Sequence, residues 1–343
     1  MASSSNGVRA AVTDGWRRVA AAWGVLAGVL AAMMLVTAPA ALLVKDAIEQ
    51  YLGSSAVASR VAAGPDLAWW DEFQATAPPS FTPGIVGGAA PLGTYSDLID
   101  GAGLPLDVLA VLAIALALLL FLTGGVLERL ARRRRLGSRG FLGACGAWFF
   151  RLVRLTAITG LAYLFVLGPL HAWLFDGAFP WITRDTTVER TAALWRALLY
   201  AVWLAPLLAI NLLADYAKVR LVIEDRHSVI GAVVAAARFL RRHWGRALGV
   251  YAVNALIALG VFLAYLALAP GGAGGDWRLL LVLLVGVTYL AARVAVRAAF
   301  VAGAMALFER TLAHAEYTAP PLPVWPDSPA AEAIDNAARL AQP

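Results

Sequence analysis

The chain has 343 residues, of which 61% are hydrophobic and only 15% are charged. A soluble domain is about half apolar and about a quarter charged, so this composition excludes a water-soluble globule. The single cysteine excludes a disulfide scaffold, and the apolar content excludes a disordered chain. The composition therefore predicts an all-α, polytopic membrane protein. Because no nucleic-acid recognition motif is present, we interpret the net charge of +6 as attraction to anionic lipids and not to nucleic acid.

Six apolar runs are long enough to cross a bilayer. About 20 helical residues, rising about 1.5 Å each, cross a hydrocarbon core about 30 Å thick. The runs cover residues 19–44, 108–127, 155–175, 191–214, 247–269 and 279–308. We therefore predict a bundle of six transmembrane helices.

The basic residues predict the orientation of these spans. Most of the 28 lysines and arginines fall on one side when the N-terminus is placed in the cytoplasm, as the positive-inside rule requires. The prediction is a bacterial inner-membrane protein with a cytoplasmic N-terminus at 1–18, a membrane domain at 19–317 and a proline-rich cytoplasmic tail at 318–343. The Ala-Pro-Ala sequence at 38–40 resembles a signal-peptidase site, so cleavage is the alternative to retention of the first span as an anchor.

Residues 45–105 form the long segment that this orientation places outside the membrane. The segment is acidic and aromatic around Trp69 and Trp70, and its Pro78-Pro79 pair favours irregular structure. It is either a lid or partner-docking cap with a function of its own, or a small cap that shields the outer ends of the helices.

Two cytoplasmic segments, 141–154 and 228–242, have amphipathic periodicity and run directly into spans. Shifted by 88 residues the two are weakly similar, and a looser third copy precedes the first span at 15–18. We predict amphipathic interface helices whose apolar faces enter the acyl boundary and whose arginines bind anionic lipids of the inner leaflet. Ser228 is the expected N-cap of the second. The candidate headgroup contacts are Arg151, Arg154, Arg238, Arg241 and Arg242.

A family resemblance lies in the second of these segments. Residues 224–232 (EDRHSVIGA) and 239–249 (FLRRHWGRALG) resemble the membrane domain attached to some glycerophosphodiester phosphodiesterases, and also a group of uncharacterised bacterial multi-pass proteins. The resemblance extends over residues 215–249. The soluble hydrolase domain of those enzymes has no counterpart here, so the resemblance implies a membrane fold and no phosphodiesterase activity.

Polar residues inside spans are costly and therefore mark candidate sites. Arg293 and Arg297 lie four residues apart, on one helix face. Asn211, Asp215 and Glu224 are predicted at the same cytoplasmic end, which gives a polar cluster of five residues. The cluster either binds an anionic substrate or lipid phosphate, or it locks two spans together through interhelical ion pairs.

The sequence carries no motif of a known enzyme class. The histidines are far apart and lack metal-ligand spacing, and nucleotide-binding and nucleophile motifs are missing. We therefore predict no cofactor and a non-catalytic role, in which the protein organises lipids or an envelope partner. The alternatives are a transporter or permease for lipids or small molecules and, third, an intramembrane enzyme that uses His171 and Asp176 as an acid/base pair.

Overall fold

Long helices make up the described part of the chain. The computed structural model describes residues 2–52, 57, 60, 68–69, 106–134, 137–269 and 276–317, and no strand occurs among them. We number the helices in chain order: α1 (Ala2–Ala21), α2 (Trp23–Leu52), α3 (Leu106–Arg132), α4 (Ser138–Phe165), α5 (Phe179–Thr183), α6 (Glu189–Ile223), α7 (Val229–Leu268) and α8 (Asp276–Tyr317). Two π-helical turns, Val166–Leu170 and Trp173–Ala178, continue α4 towards α5.

The described secondary structure is all helical, as predicted, and among these residues five helical stretches are long and apolar enough to cross a membrane, which is compatible with a polytopic bundle. They cover 113–132, 138–183, 189–223, 229–268 and 280–312. A sixth is available if 7–21 and 23–39, which are bent by 66° at a short break, together form one span. Large apolar side chains such as Leu161, Leu256 and Leu284 remain exposed on these helices, as expected of a surface that faces lipid.

The first bend of the described chain lies at Ala22, between α1 and α2. The break exposes the last carbonyl groups of α1, and Arg129 of α3 donates a hydrogen bond of 2.7 Å to the Ala21 carbonyl. Arg18 is held by Asp14 at 2.9 Å and also donates to the Leu130 carbonyl. Cations at the C-terminal end of a helix satisfy carbonyl groups that have no partner within the helix. These contacts join the end of α1 to the end of α3.

Small residues allow close helix packing at two places. A methyl group on Gly15 of α1 would lie only 2.7 Å from the backbone nitrogen of Gly303 in α8. In α3, a methyl group on Gly125 would lie 2.7 Å from the Cys145 Sγ of α4. Packing of this kind is typical of helices in lipid, where association depends on close contact.

The predicted interface helices are not separate elements, and their apolar faces pack against protein. Residues 141–154 belong to the uninterrupted α4, whereas residues 228–242 form the first part of α7, which continues past a local distortion at His243. Cys145, Trp148 and Leu152 are buried, because the glycines of α3 admit this face of α4. In the described structure the apolar residues of these segments are therefore buried against protein, whereas the prediction placed them in the acyl boundary.

Ser228 caps α7 as predicted, since its hydroxyl accepts a hydrogen bond of 3.1 Å from the Gly231 backbone N–H. Most of the external segment 45–105 and the whole tail 318–343 lie outside the described residues. The chain divides into two compact units, Met1–Leu307 and Phe308–Pro343. All features discussed below belong to the first unit.

Candidate functional site

A cavity of about 610 Å³ lies among α2, α3, α4, α6 and α8. Its volume is typical of sites for small molecules and cofactors. Leucine and valine side chains form most of its wall, and among the described residues Thr123 and Thr156 are its only uncharged polar lining residues. The apolar lining includes Leu26, Val29, Leu30, Met33, Leu119, Leu127, Leu152, Leu290, Val294 and Val301.

Three cationic side chains interrupt this apolar wall: Lys218 of α6 and Arg293 and Arg297 of α8. No aspartate or glutamate is among the described residues that line the cavity. We call these three residues the cationic triad. A cluster of cations inside an apolar, membrane-level cavity is energetically costly unless anions neutralise it.

Asp215 provides one such anion from behind the wall. Its two carboxylate oxygens accept hydrogen bonds of 2.7 Å from the two terminal nitrogens of Arg297, and Lys218 donates to the same carboxylate at 3.0 Å. The Asp215 side chain is only 2% exposed, whereas that of Arg297 is 50% exposed. The bidentate geometry therefore fixes the Arg297 guanidinium at the edge of the cavity.

Arg293 has a different environment. Its guanidinium lies 5.5 Å from the centre of the Tyr289 ring, and no carboxylate pairs with it in the described part of the chain. Among the described residues, the one carboxylate of Asp215 pairs with two of these three cations, which leaves a net charge of +2 at the cavity.

The structure brings together part of the predicted polar cluster. Asp215 and Arg297 form an interhelical ion pair, and Arg293 lines the same cavity. Glu224 instead pairs with Arg220 at 2.5 Å and with Arg226. Asn211 is half-buried and makes no hydrogen bond within the described residues.

Lys218 was missing from the predicted cluster, although the sequence contains a signal for it. Lys218 follows Asp215 by three residues, a spacing that places both side chains on the same helix face. The positive-inside rule alone assigns Lys218 to the cytoplasmic side of the membrane and gives it no role in a site. Since Lys218 lines the cavity, it belongs to the candidate site.

Among the predicted headgroup contacts, Arg151 has another role. It donates to Asp225 at 2.7 Å, lies 2.9 Å from the His227 Nδ1, and stacks over the Trp148 ring at 4.7 Å. The Arg151 hydrogen bond lowers the pKa of the Asp225 carboxyl below its ordinary value. Arg151 therefore ties α4 to the turn between α6 and α7, which makes it a poor lipid contact.

The other predicted headgroup contacts remain available. Arg154, Arg238, Arg241 and Arg242 are exposed, and none has an ion-pair partner among the residues that the structure describes. Trp244, which is 50% exposed, lies two residues after Arg242 in the sequence. Arginines beside an exposed tryptophan are typical of a membrane–water interface.

A second, wholly apolar groove of about 190 Å³ adjoins the cavity between α2 and α8. The two share Leu26, Leu30 and Val294. Trp23 and Met34 also line the groove. The groove therefore borders the cavity, and both present apolar side chains of α2 and α8.

Metal and acid/base chemistry find little support in the described residues. No group of three His, Cys, Asp or Glu side chains there could hold a metal ion. His171 packs 4.6 Å from the Phe175 ring and 5.5 Å from the Trp203 ring, and the structure records no hydrogen bond from it to Asp176 in that region. Trp203 packs between helices and donates to the Val166 carbonyl at 2.9 Å.

Comparison of the chain with models of known families, with curated proteins and with solved structures finds no match. The resemblance of residues 215–249 to the phosphodiesterase membrane domain therefore stays a prediction. The cavity and its charges are therefore the basis of the proposed function.

Proposed function

We propose that this protein is a non-catalytic, multi-pass protein of the bacterial inner membrane that binds an anionic lipid in the cavity lined by the cationic triad. The observation that supports this proposal is the net positive charge of the cationic triad and Asp215 in an otherwise apolar cavity wall. Binding of this kind would serve to organise lipids, or to hold a lipid ready for a partner.

An amphiphilic lipid has two parts, a headgroup and a hydrocarbon chain, and the cavity has a feature that fits each of them. A hydrophilic solute would lose its hydration against a wall of leucine and valine without compensation. An uncharged hydrocarbon would leave the positive charge that Asp215 does not neutralise without a partner. A lipid with an anionic headgroup satisfies both parts, since its headgroup pairs with the triad and its chain occupies the apolar wall and the groove beside Val294.

The proposed orientation places the triad in the cytoplasmic half of the membrane, with both termini in the cytoplasm. Supporting this orientation, α3 carries Arg129 and Arg132 in its last turn and α6 carries Arg220 in its last turn. In the same orientation, the exposed Arg154, Arg238, Arg241 and Arg242 face the headgroups of the anionic inner leaflet. Each basic residue near such a surface contributes about 1 kcal/mol of attraction.

Native mass spectrometry of the protein purified in mild detergent tests the proposal. We expect the protein to retain one anionic lipid, enriched over its share of the host membrane. The Val294→Trp variant, which fills the junction of cavity and groove, is expected to lose this lipid. The control Leu284→Trp changes a 69% exposed residue of the same helix and is expected to keep it.

Two results would overturn the proposal. One is wild-type protein that carries no lipid, or carries lipids in the proportions of the membrane. The other is equal lipid retention by the Val294→Trp and Leu284→Trp variants, since the bound lipid would then lie elsewhere.

A lipid transporter is the second candidate, and the groove between α2 and α8 favours it because the groove lies beside the cavity and shares three lining residues with it. A transporter moves its lipid between leaflets, whereas a binding protein does not. Reconstitution into vesicles that contain a fluorescent anionic lipid distinguishes the two. Protein-dependent loss of protection from an external quencher supports transport, and unchanged protection supports binding alone.

A further inference from the structure

We infer that the cavity selects a lipid whose headgroup is a phosphate monoester over one whose headgroup is a phosphodiester. This inference rests on the proposed function, and it names the class of headgroup that the cationic triad fits. Its two supports are the charge balance of the triad and the number of hydrogen-bond donors that the triad leaves unused.

The charge balance favours a dianion. Lys218, Arg293 and Arg297 contribute three positive charges, and Asp215 contributes one negative charge. A phosphate monoester carries about −1.5 to −2 charges near neutral pH, whereas a phosphodiester carries only one. A monoester therefore brings the site close to neutrality, and a diester leaves a positive charge in an apolar surrounding.

The number of hydrogen-bond donors in the triad also favours a phosphate monoester. An arginine has five N–H donors and a lysine ammonium has three. Arg297 uses two of its donors on Asp215, and Lys218 uses one. Among the described residues, most N–H donors of the triad therefore have no acceptor. Arg293 donates to no carboxylate there. A monoester presents three terminal oxygens to them, and a diester presents only two.

Because of its position, Arg293 is the residue of the triad that pairs with the second negative charge of the phosphate monoester. Asp215 already compensates part of the charge on Arg297 and Lys218. Arg293 has the Tyr289 ring as its contact, and this leaves its full charge available to a ligand. Replacement of Arg293 should therefore remove the preference for a dianion without removing the ion pair that joins α6 and α8.

The test compares two lipids with identical acyl chains, phosphatidic acid and phosphatidylmethanol, at pH 8 in nanodiscs of neutral lipid. We expect phosphatidic acid to bind roughly tenfold or more tightly, the difference that one strong charge-assisted hydrogen bond produces. Equal affinity for both lipids would overturn the inference while leaving the proposed function intact. Absence of binding by either lipid would overturn both.

Variants then locate the preference. Arg293→Gln is expected to reduce the preference to less than about threefold while phosphatidylmethanol still binds, and Arg293→Lys is expected to retain it. The control Arg196→Gln removes an arginine that likewise contacts an aromatic ring, Phe179 at 4.6 Å, but that does not line the cavity. A preference that persists in Arg293→Gln, or that is lost equally in Arg196→Gln, would contradict the assignment. Unchanged thermal stability of all three variants shows that each is folded.

A last arm separates a lipid from a soluble ligand with the same phosphate group. Inorganic phosphate and glycerol 3-phosphate, added at millimolar concentration, are not expected to displace phosphatidic acid, because they leave the apolar wall uncovered. Displacement by either would assign the site to a soluble phosphate monoester and would overturn the lipid part of the inference.

Discussion

The contact between Gly15 and Gly303 offers the sharpest test of how the helices pack. A methyl group on Gly15 would lie 2.7 Å from the Gly303 nitrogen and 2.9 Å from its Cα. Both are backbone atoms, so no side-chain rotation can relieve the overlap. We expect Gly15→Ala to force α1 away from α8 by several tenths of an ångström or more.

The magnitude follows from three contributions. Overpacking of a tight contact costs about 1–3 kcal/mol. Displacement of α1 also weakens the 3.2 Å hydrogen bond from Trp16 to Asn254, a bond of a fully buried amide that is worth about 1 kcal/mol. Replacement of a helical glycine by alanine returns about 0.5–1 kcal/mol. The net loss in the free energy of unfolding is therefore about 2 kcal/mol.

Unfolding in mixed micelles, followed by tryptophan fluorescence, measures this loss. The control is Gly7→Ala in the same helix, where an added methyl group meets no atom within 4 Å. We expect the control to be neutral or up to about 1 kcal/mol more stable. If Gly15→Ala is as stable as Gly7→Ala, then α1 does not cross α8 at these glycines.

Three further predictions concern other parts of the bundle. Ser228→Ala removes the N-cap of α7 and is expected to reduce the free energy of unfolding by about 1 kcal/mol, whereas Ser228→Asp should preserve it; equal stability of all three proteins would contradict the cap. Asp225→Asn removes the Arg151 ion pair. Because the pKa of the Asp225 carboxyl is lowered in the folded state, this pair stabilises the fold above about pH 4. The stabilisation disappears as the pH falls through the lowered pKa. A pH titration of unfolding should therefore show the two proteins converging in acid, and a constant difference would refute the assignment. The Cys145 thiol is fully buried, so a maleimide should label it only after unfolding; fast labelling of the folded protein would show that α4 does not pack on α3 through this face.

The spans could be predicted from sequence because hydrocarbon imposes a minimum apolar length on any helix that crosses it. The pairing of Asp215 with Arg297 was also within reach, since opposite charges at the same membrane depth strongly favour each other. Lys218 required only the further step of applying helix periodicity around Asp215.

The cavity itself could not be predicted, because its volume depends on how side chains of five helices meet. The burial of the amphipathic faces was also beyond reach. The periodicity that places Cys145 and Trp148 on one face is the same for a helix on lipid and for a helix on protein. Only the glycine pair in α3, Gly124 and Gly125, hints that another helix approaches closely there.

Arg151 shows a similar limit. Its position on the polar face of α4 suits a lipid headgroup, but the turn after α6 brings Asp225 within 2.7 Å of it. Such a contact depends on tertiary structure and leaves no local signal in the sequence. The bend at Ala22 is a further case, since no proline lies near it and its support comes from Arg129 of another helix.

Photocrosslinking from inside the cavity tests the central claim most directly. A photoreactive amino acid at Thr123, which lines the cavity, is compared with one at Leu116, which is 49% exposed on the same helix. If the cavity binds an anionic lipid, the lipid captured at position 123 is strongly enriched in anionic headgroups, whereas that captured at position 116 matches the composition of the membrane. Capture of the same lipid mixture at both positions, or of no lipid at position 123, would contradict the account.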